Sequence, residues 1–327
     1  MSELRWHPLL EEWVITATHR QERTFFPPAD YCPLCATKPG GFPTEVAEPS
    51  YDVVILQNKF PSLQPEPPEP AVQGHPLTPV MPARGVCEVL LYSPQHDATL
   101  VSLGPQTVYK IVQVWRDRYE ELGALPEIEY VFIFENRGPE VGVTLSHPHG
   151  QIYAFPYVPP VVQRELASMY RYWYRERRCL LCDLLHRELA EGVRLFSSFG
   201  TWQAFVPFYA RYPQEVHIVP ERHITSLLEL TAAEEQDLAR AVYDVVARYD
   251  LLFDAPMPYM MVLHQKPTDG GSYTYYHFHV EFYPLRRAPG KLKYRAGCES
   301  GAGTFITDAL PEQWAAQLRA LVPRGPA

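Results

Sequence analysis

The two halves of this 327-residue chain carry the same motifs in the same order. Each half has a Cys-x-x-Cys pair, then a strand-like segment that leads into Pro and His, in the similar stretches 85–103 and 212–230. A helix-like stretch, an apolar segment and a His-x-His segment follow in both halves. Motifs repeated in a fixed order indicate a duplicated structural unit. This duplication constrains the fold more than any other feature, because both halves must build the same plan.

The helical part of the repeat is visible in the spacing of apolar residues. They recur at intervals of three and four, which is typical of one buried helix face. Thr231 and Glu234 also form a capping-box pattern at the start of the second stretch. The residues of the two stripes are Val108, Ile111, Val112, Trp115 and Tyr119 in the first half, and Leu238, Ala241, Val242, Val245 and Tyr249 in the second.

Each predicted helix is followed by two predicted strands. The apolar segments are 128–136 and 258–265, and the His-x-His segments are 146–156 and 276–284. Antiparallel strands with one long packed helix per half are typical of the α+β class. We therefore predict an α+β fold with antiparallel sheets and packed helices, duplicated in two tandem domains at 1–170 and 171–327.

Charge and hydropathy exclude several classes of protein. A formal net charge of −9 argues against a general nucleic-acid binder, which needs a basic surface. No segment approaches the roughly 18 consecutive apolar residues of a membrane span. Residues 1–15 have neither a basic segment nor a continuous apolar run, so we expect no secretion signal. The prediction is a cytoplasmic protein, in which Cys-x-x-Cys pairs indicate metal or redox chemistry before structural disulfides.

Each half supplies two cysteines and two histidines in the same order, and nearly the same number of residues separates the histidines. Zinc binds four such ligands in a tetrahedron, and a full set of protein ligands leaves no open position for water. The repeat therefore predicts two structural zinc sites, against the alternative of reduced cysteines packed with core histidines. The sets are Cys32, Cys35, His96 and His147, and Cys179, Cys182, His223 and His277.

The segment His147-Pro148-His149-Gly150-Gln151 brings imidazole and amide groups together. Residues two apart in a strand share a face, so His147, His149 and Gln151 are expected on one side. Pro148 cannot donate to a sheet ladder, which predicts a sheet edge or a bend. Gly150 has no Cβ, so a ligand can approach the backbone there. The alternative for these histidines is a place in the core.

This segment and its surroundings resemble the galactose-1-phosphate uridylyltransferases, a branch of the histidine-triad superfamily. The resemblance rests on FENRGPEVGVTLSHPHGQIY, and it extends through HRQERTF, QNKFPSL, SPQH, FYPLRR and AGCESGAGTF. It implies tandem histidine-triad-like domains, of which the first carries the nucleophile. His149 would attack the α-phosphorus of UDP-glucose and form a covalent nucleotidyl-histidine. A second hexose 1-phosphate would then accept the nucleotide, so the implied substrates are a UDP-hexose and a hexose 1-phosphate.

The resemblance also implies roles for individual residues. Gln151 would donate its amide to a phosphoryl oxygen as a second catalytic group. Arg137 is a further candidate cation for the phosphates. A homodimer with its active site near the subunit interface is expected on the same ground. The implied substrate-binding residues are Arg20, Arg23, Asn58, Phe60, Asn136, Thr144, Lys293 and Glu299.

Departures from the family pattern leave alternatives open. Some relatives build a second metal site from a glutamate and histidines, and Glu165, His264 and His279 occupy the corresponding positions. The second metal site therefore uses either the cysteine set, which the repeat favours, or the set of Glu165, His264 and His279. The metal at this site is either zinc or iron. Lys59 stands where relatives often have an acidic residue, which leaves the nucleobase open. The alternatives are an ADP-glucose phosphorylase or adenylyltransferase of the same superfamily, and a zinc-stabilised nucleotide-binding module without catalysis. A nucleotide hydrolase is disfavoured, because Gln151 replaces the third histidine of smaller histidine-triad proteins.

Overall fold

The computed structural model describes residues 2–22, 31–38, 40–253 and 255–323. Its helices are α1 (Leu100–Gly123), α2 (Pro160–Glu176), α3 (Leu180–Glu191), α4 (Ala232–Leu252), α5 (Gly297–Gly301) and α6 (Pro311–Ala320). Its strands are β1 (Ser2–His7), β2 (Glu12–Ala17), β3 (Val54–Gln57), β4 (Val80–Pro82), β5 (Val86–Leu91), β6 (Tyr130–Arg137), β7 (His149–Phe155), β8 (Leu195–Phe199), β9 (Trp202–Phe205), β10 (Val216–Pro220), β11 (Tyr259–His264), β12 (His279–Pro284), β13 (Arg286–Ala288) and β14 (Lys291–Leu292).

One nine-stranded antiparallel sheet runs through both halves of the described chain, in the order β3-β5-β7-β6-β11-β12-β10-β9-β8. Outward from its centre, β6-β7-β5-β3 on one side corresponds to β11-β12-β10-β9 on the other. The predicted α+β class is confirmed, but the two half-sheets join into a single sheet through an antiparallel β6–β11 pair. This pairing satisfies backbone donors and acceptors that two separate sheets would leave on exposed edges.

The two long helices, α1 and α4, pack side by side on one face of this sheet. Every residue of the two predicted apolar stripes is buried, so both helix predictions are confirmed. The stripes share one hydrophobic core with strand residues such as Ile133, Ile152, Met261 and Val280. Each large apolar side chain buried there contributes about 1.5–3 kcal/mol relative to an exposed one. This layer holds the sheet rigid beneath the functional groups at its centre.

The opposite face of the sheet carries the histidine motif. Along β7, half-buried His149 and Gln151 alternate with buried Gly150 and Ile152. Of the two expectations for Pro148, a sheet edge is wrong, because β7 lies between β5 and β6, whereas a bend is present at His147. Pro148 precedes the first residue of β7 and therefore has no ladder hydrogen bond to donate. The small sheet β2-β1-β4 and helix α2 cover other parts of this face.

The proposed division of the chain at 170/171 falls inside α2, which continues to Glu176. The charged residues toward the end of this helix are exposed. Within the described ranges, no helix is both long and apolar enough to cross a lipid bilayer.

The capping box at the start of α4 is confirmed. The Glu234 amide donates to Thr231 Oγ1 at 3.3 Å, and the Thr231 amide donates to Glu234 Oε2 at 2.9 Å. Arg222 donates to both oxygens of the same carboxylate at 2.7 Å. Arg222 is the main reason that the pKa of Glu234 falls from 4.5 to about 2, and the Thr231 hydrogen bonds add to it. The carboxylate form therefore stabilises the fold, because it holds both the helix start and Arg222.

Glu234→Gln is expected to lower the melting temperature at pH 7 by about 2 °C, because losing such a cap costs about 1 kcal/mol in a chain of this size. A carboxyl whose pKa is lowered on folding stabilises above its unfolded pKa and loses this contribution as the pH falls. The difference from wild type should therefore shrink between pH 4.5 and about pH 2. Calorimetry across this range measures it, with Glu120→Gln on the exposed side of α1 as control. If the difference in melting temperature between wild type and Glu234→Gln does not change with pH, the ionised carboxylate of Glu234 is not the stabilising form.

Candidate active site and metal centres

His149 is the first residue of β7, and its ring is held in one orientation. Its Nδ1 lies 2.7 Å from the carbonyl oxygen of His147. A carbonyl oxygen only accepts, so Nδ1 carries the proton of the neutral ring and Nε2 keeps its lone pair. A neutral imidazole whose Nε2 carries no proton is the form that can act as a nucleophile. The local backbone thus favours this tautomer of His149.

Two cavities meet at His149. The larger, about 560 Å³, is lined by Asn136 and Thr144, and the smaller, about 260 Å³, by Thr144 and Gln151. His149 and Thr144 line both cavities, so a ligand that spans them passes the imidazole. The sequence predictions for Asn136, Thr144 and Gln151 therefore fall on groups that the fold brings together around one ring.

The smaller cavity also contains three of the other predicted binding residues, Arg20, Asn58 and Phe60. Arg20 donates to the Phe60 carbonyl oxygen and to Ser62 Oγ, each at 2.9 Å. Asn58 Oδ1 accepts from the Phe60 amide at 2.9 Å. These bonds fix the 58–62 segment beside His149. Arg23 lies outside the described residues.

The remaining candidate residues, Arg137, Lys293 and Glu299, each form an ion pair. Arg137 lines the larger cavity, and its guanidinium donates to both carboxylate oxygens of Asp250, at 2.7 and 3.0 Å. Lys293 Nζ lies 2.5 Å from Glu299 Oε1. Among the described residues that line the two cavities, neither Lys293 nor Glu299 occurs. A single chain therefore does not bring this pair to His149.

The first cysteine–histidine set converges in space. Cys35 Sγ lies 3.4 Å from His96 Nδ1 and 3.6 Å from His147 Nδ1. Zinc bonds of 2.3 Å to sulfur and about 2.0 Å to nitrogen in a tetrahedron imply a separation of about 3.6 Å. The far nitrogen of His147 lies 2.8 Å from the Ser93 carbonyl oxygen, which presents Nδ1 to the sulfurs. Burial lowers the pKa of His147 to about 4 and keeps its ring neutral, as a metal ligand requires.

The second set repeats this geometry. Cys182 Sγ lies 3.5 Å from His223 Nδ1 and 3.3 Å from His277 Nδ1, and Cys179 Sγ lies 3.6 Å from His277 Nδ1. The Nε2 atoms of His223 and His277 each lie 3.0 Å from a backbone carbonyl oxygen, which fixes their tautomers. Both sets therefore have the donor types and spacing of a tetrahedral metal site.

Glu165, His264 and His279 form a third group with Glu281, and this group shares no residue with the cysteine set. The two arrangements therefore do not compete for the same ligands, and which of them holds a metal stays a prediction. His264 Nδ1 lies 2.8 Å from Glu165 Oε1. Burial by itself lowers the pKa of His264, but the carboxylates of Glu165 and Glu281 outweigh it and raise that pKa to about 9. The two groups are separate although His277 and His279 are only two residues apart. The ring of His277 faces the cysteines, and the ring of His279 lies with Glu165 and His264.

Three residues that line the larger cavity were not predicted from the sequence, namely Tyr92, Glu135 and Tyr259. Their hydroxyls and carboxylate are joined, and burial raises the pKa of Glu135. An acidic residue at the end of the apolar segment 128–136 was the available signal. The structure also gives a different reason for the glycine at position 150. A Cβ there would overlap the Tyr92 hydroxyl, so the approach of a ligand is not needed to explain this glycine.

Comparison with known proteins identifies the family. Residues 1–159 match the model for the galactose-1-phosphate uridyl transferase N-terminal domain, and residues 165–324 match the model for its C-terminal domain. The galactose-1-phosphate uridylyltransferase of Thermotoga maritima is 41% identical over 321 residues, which cover 98% of each chain. This chain belongs to the galactose-1-phosphate uridylyltransferase family. The two family models meet within the first turn of α2, at 160–164.

Other members of the galactose-1-phosphate uridylyltransferase family agree with this placement. The enzyme of that name from Rattus norvegicus is 35% identical, covering 97% of this chain and 87% of its own. A solved structure described as a uridylyltransferase superposes with a TM-score of 0.87 at 38% identity, covering 97% of both chains. An ADP-glucose phosphorylase from Arabidopsis thaliana superposes with a TM-score of 0.73 at 23% identity, covering 98% of this chain and 99% of its own. The last match establishes a shared fold.

Proposed function

We propose that this chain is a UDP-glucose–hexose-1-phosphate uridylyltransferase, a galactose-1-phosphate uridylyltransferase, that works by double displacement through a uridylyl-histidine. The observation that carries the proposal is the ring of His149, whose Nε2 is left unprotonated at the junction of two cavities. The names of the Thermotoga and rat relatives support the choice of reaction.

In the first step, Nε2 of His149 attacks the α-phosphorus of UDP-glucose, and the bond to the bridging oxygen breaks. Glucose 1-phosphate leaves with that electron pair, and the uridylyl group remains on an imidazolium. In the second step, a phosphate oxygen of another hexose 1-phosphate attacks the same phosphorus. The nitrogen–phosphorus bond breaks, which releases the UDP-hexose and restores neutral His149. The protonated ring is a good leaving group, so His149 serves both steps.

The groups around His149 take roles in this reaction according to their position. Gln151 donates its amide to a non-bridging oxygen, and Asn136 and Thr144 bind phosphoryl oxygens. Arg20 supplies positive charge to the phosphates from the smaller cavity. The nucleoside occupies the smaller cavity beside Asn58 and Phe60, while the leaving and accepting phosphates use the larger one.

Zinc is proposed at both cysteine–histidine sets, where it clamps the loops that precede β7 and β12. We also propose a homodimer. Lys293 and Glu299 lie away from the cavities of their own chain, so they would contact the sugar of a second copy's active site. The proposed location is the cytoplasm, and the proposed domains are 1–170 and 171–327.

The second candidate function is adenylyl transfer from ADP-glucose. It stays open because of Lys59, which stands where relatives often have an acidic residue and whose Nζ pairs with Glu45 Oε1 at 2.7 Å on the wall of the smaller cavity. Both reactions use the same nucleophile, and only recognition of the base differs between them.

Mass spectrometry of the intact protein under non-acidic conditions distinguishes the candidates. After incubation with UDP-glucose, a uridylyl adduct is expected on wild type, with no adduct from ADP-glucose. An adenylyl adduct alone would assign the chain to the ADP-glucose branch with the same mechanism. The absence of both adducts from folded, metal-loaded protein would favour a binding module without catalysis.

A further inference from the structure

A buried carboxylate lies next to the backbone of the nucleophile strand. Glu135 is 5% exposed, and Tyr92 and Tyr259 donate to its two oxygens, each at 2.7 Å. Both tyrosines are buried as well. An isolated buried carboxylate is costly, and two well-placed donors offset part of that cost. The result is a three-residue network with one geometry, in the floor of the larger cavity.

The Tyr92 hydroxyl packs directly on Gly150. A Cβ built on Gly150 would overlap Tyr92 Oη and would lie 3.2 Å from its Cζ. Gly150 does not have a positive φ, so its backbone conformation alone does not require glycine. What requires glycine is the hydroxyl that Glu135 holds in place. The residue that precedes Gly150 is His149.

Tyr92 also contacts the same segment through its backbone. Its amide donates to the Pro148 carbonyl oxygen at 3.2 Å, just beyond the pairing of Leu91 with His149. The side chain and the backbone of Tyr92 therefore restrain the residues on both sides of His149. A group held in this way loses little freedom when it reacts, which is what precise positioning requires.

Tyr259 brings the second half of the chain into this arrangement. It lies on β11, opposite Arg137 of β6, while Glu135 lies opposite Met261. The Arg137 guanidinium lies 5.7 Å from the centre of the Tyr259 ring and pairs with Asp250 of α4. The carboxylate of Glu135 on β6 thus joins Tyr92, which directly follows β5, to Tyr259 on β11 of the second half, at the seam of the single sheet.

We propose that Glu135 is a positioning residue for the reaction, which acts through the Tyr92 hydroxyl on Gly150 to fix the imidazole of His149, with Tyr259 as its support from the second half. This inference rests on the proposed function, because it takes His149 as the nucleophile. An error of about 1 Å in the position of a reacting group costs on the order of 100-fold in rate. Loss of one restraint should cost less than that, because the hydrogen bond from His149 to the His147 carbonyl remains.

The test is the rate of nucleotidyl-enzyme formation in a single turnover at saturating UDP-glucose. Tyr92→Phe and Glu135→Gln are each expected to slow this step by about 10-fold. The concentration of UDP-glucose at half-maximal rate should stay within about twofold, because no predicted nucleotide contact is lost. The double variant should be no slower than the slower single variant, since both changes break the same connection.

The matched control is Tyr119→Phe. Tyr119 is also buried in the core between helices and sheet, and its hydroxyl donates to the Lys266 carbonyl oxygen at 2.9 Å. Its loss should lower the melting temperature about as much as Tyr92→Phe while leaving the rate unchanged. Wild-type rates in folded Tyr92→Phe and Glu135→Gln, or an equal loss of rate in Tyr119→Phe, would overturn the proposal.

A rescue experiment separates positioning from general packing. Gly150→Ala should slow adduct formation, because its methyl group collides with the Tyr92 hydroxyl. Adding Tyr92→Phe removes the colliding atom and should restore part of the rate. A double variant that is slower than Gly150→Ala alone contradicts the inference. If Gly150→Ala does not fold, the comparison of Tyr92→Phe and Glu135→Gln with Tyr119→Phe still decides the question. If wild type forms no adduct at all, the proposed function fails, and this inference fails with it.

Discussion

Replacing His149 with alanine is expected to abolish nucleotidyl transfer. The rate should fall by roughly 10⁵-fold or more, because His149 is the only imidazole among the described residues that line both cavities. The intact-protein adduct should be lost at the same time, whichever nucleoside diphosphate sugar is used. The fold should be retained, since His149 is half-buried and its ring bonds to a carbonyl oxygen of its own segment. Steady-state transfer assays together with mass spectrometry measure both effects.

The control for His149→Ala is His75→Ala, which removes an exposed imidazole. It should keep wild-type activity and adduct formation. Peptide mapping of the wild-type adduct provides a second check, because the label should lie on the peptide that contains residues 147–151. A label on any other histidine, or a labelled His149→Ala protein, would exclude His149 as the nucleophile.

The second large effect is expected from loss of the first metal set. Cys35→Ser should remove one zinc ion per chain, and structural zinc sites contribute roughly 10 kcal/mol or more to folding in small domains. The fall in melting temperature should therefore be several times that expected for Glu234→Gln. Activity should be lost as well, because the His147 ring converges with Cys35 while its carbonyl oxygen accepts from Nδ1 of His149. Metal analysis, calorimetry and adduct formation report these three consequences separately.

The duplicated chain provides a matched control for this prediction in Cys182→Ser. This change should also remove one zinc ion and should destabilise to a similar degree. The carbonyl oxygen of its neighbour His277 lies beside His279, not beside the nucleophile. Adduct formation should therefore survive at temperatures where the variant is folded. A metal content equal to that of wild type in either variant would contradict the assignment, whereas zinc or iron that remains in the Cys35→Ser/Cys182→Ser double variant would belong to the group formed by Glu165, His264 and His279.

Patterns within a single element were predictable from the sequence. Thr231 and Glu234 cap α4 because the side chains that make a capping box lie three residues apart, and this relation is local. The stripe that includes Trp115 and Tyr119 is buried because helical periodicity fixes which side chains share a face. The two cysteine–histidine sets were found because the repeat supplied the same ligands twice.

Positions that depend on distant segments were not predictable in this way. Pro148 suggested either an edge strand or a bend, and only the fold shows that the bend at His147 precedes a strand with neighbours on both sides. Strand order could not be predicted because it is set by long-range pairing. Arg137 is a candidate for phosphate, and only the fold shows that it both lines the larger cavity and pairs with Asp250 of α4. Lys293 and Glu299 pair with each other at a distance from the cavities, and no pattern in their own segment indicated this.

The sequence by itself determined the duplicated α+β plan, the His-Pro-His-Gly-Gln motif and the two cysteine–histidine sets, because periodicity and repeated spacing are properties of the chain. Only the tertiary structure decided that the halves share one sheet, that Glu165, His264 and His279 stand apart from the cysteines, and that Glu135 holds the Tyr92 hydroxyl against Gly150. The physical reason is that hydrogen bonds and ion pairs between segments distant in sequence form only where the tertiary packing brings these segments into contact. This packing depends on the whole chain and not on any local pattern.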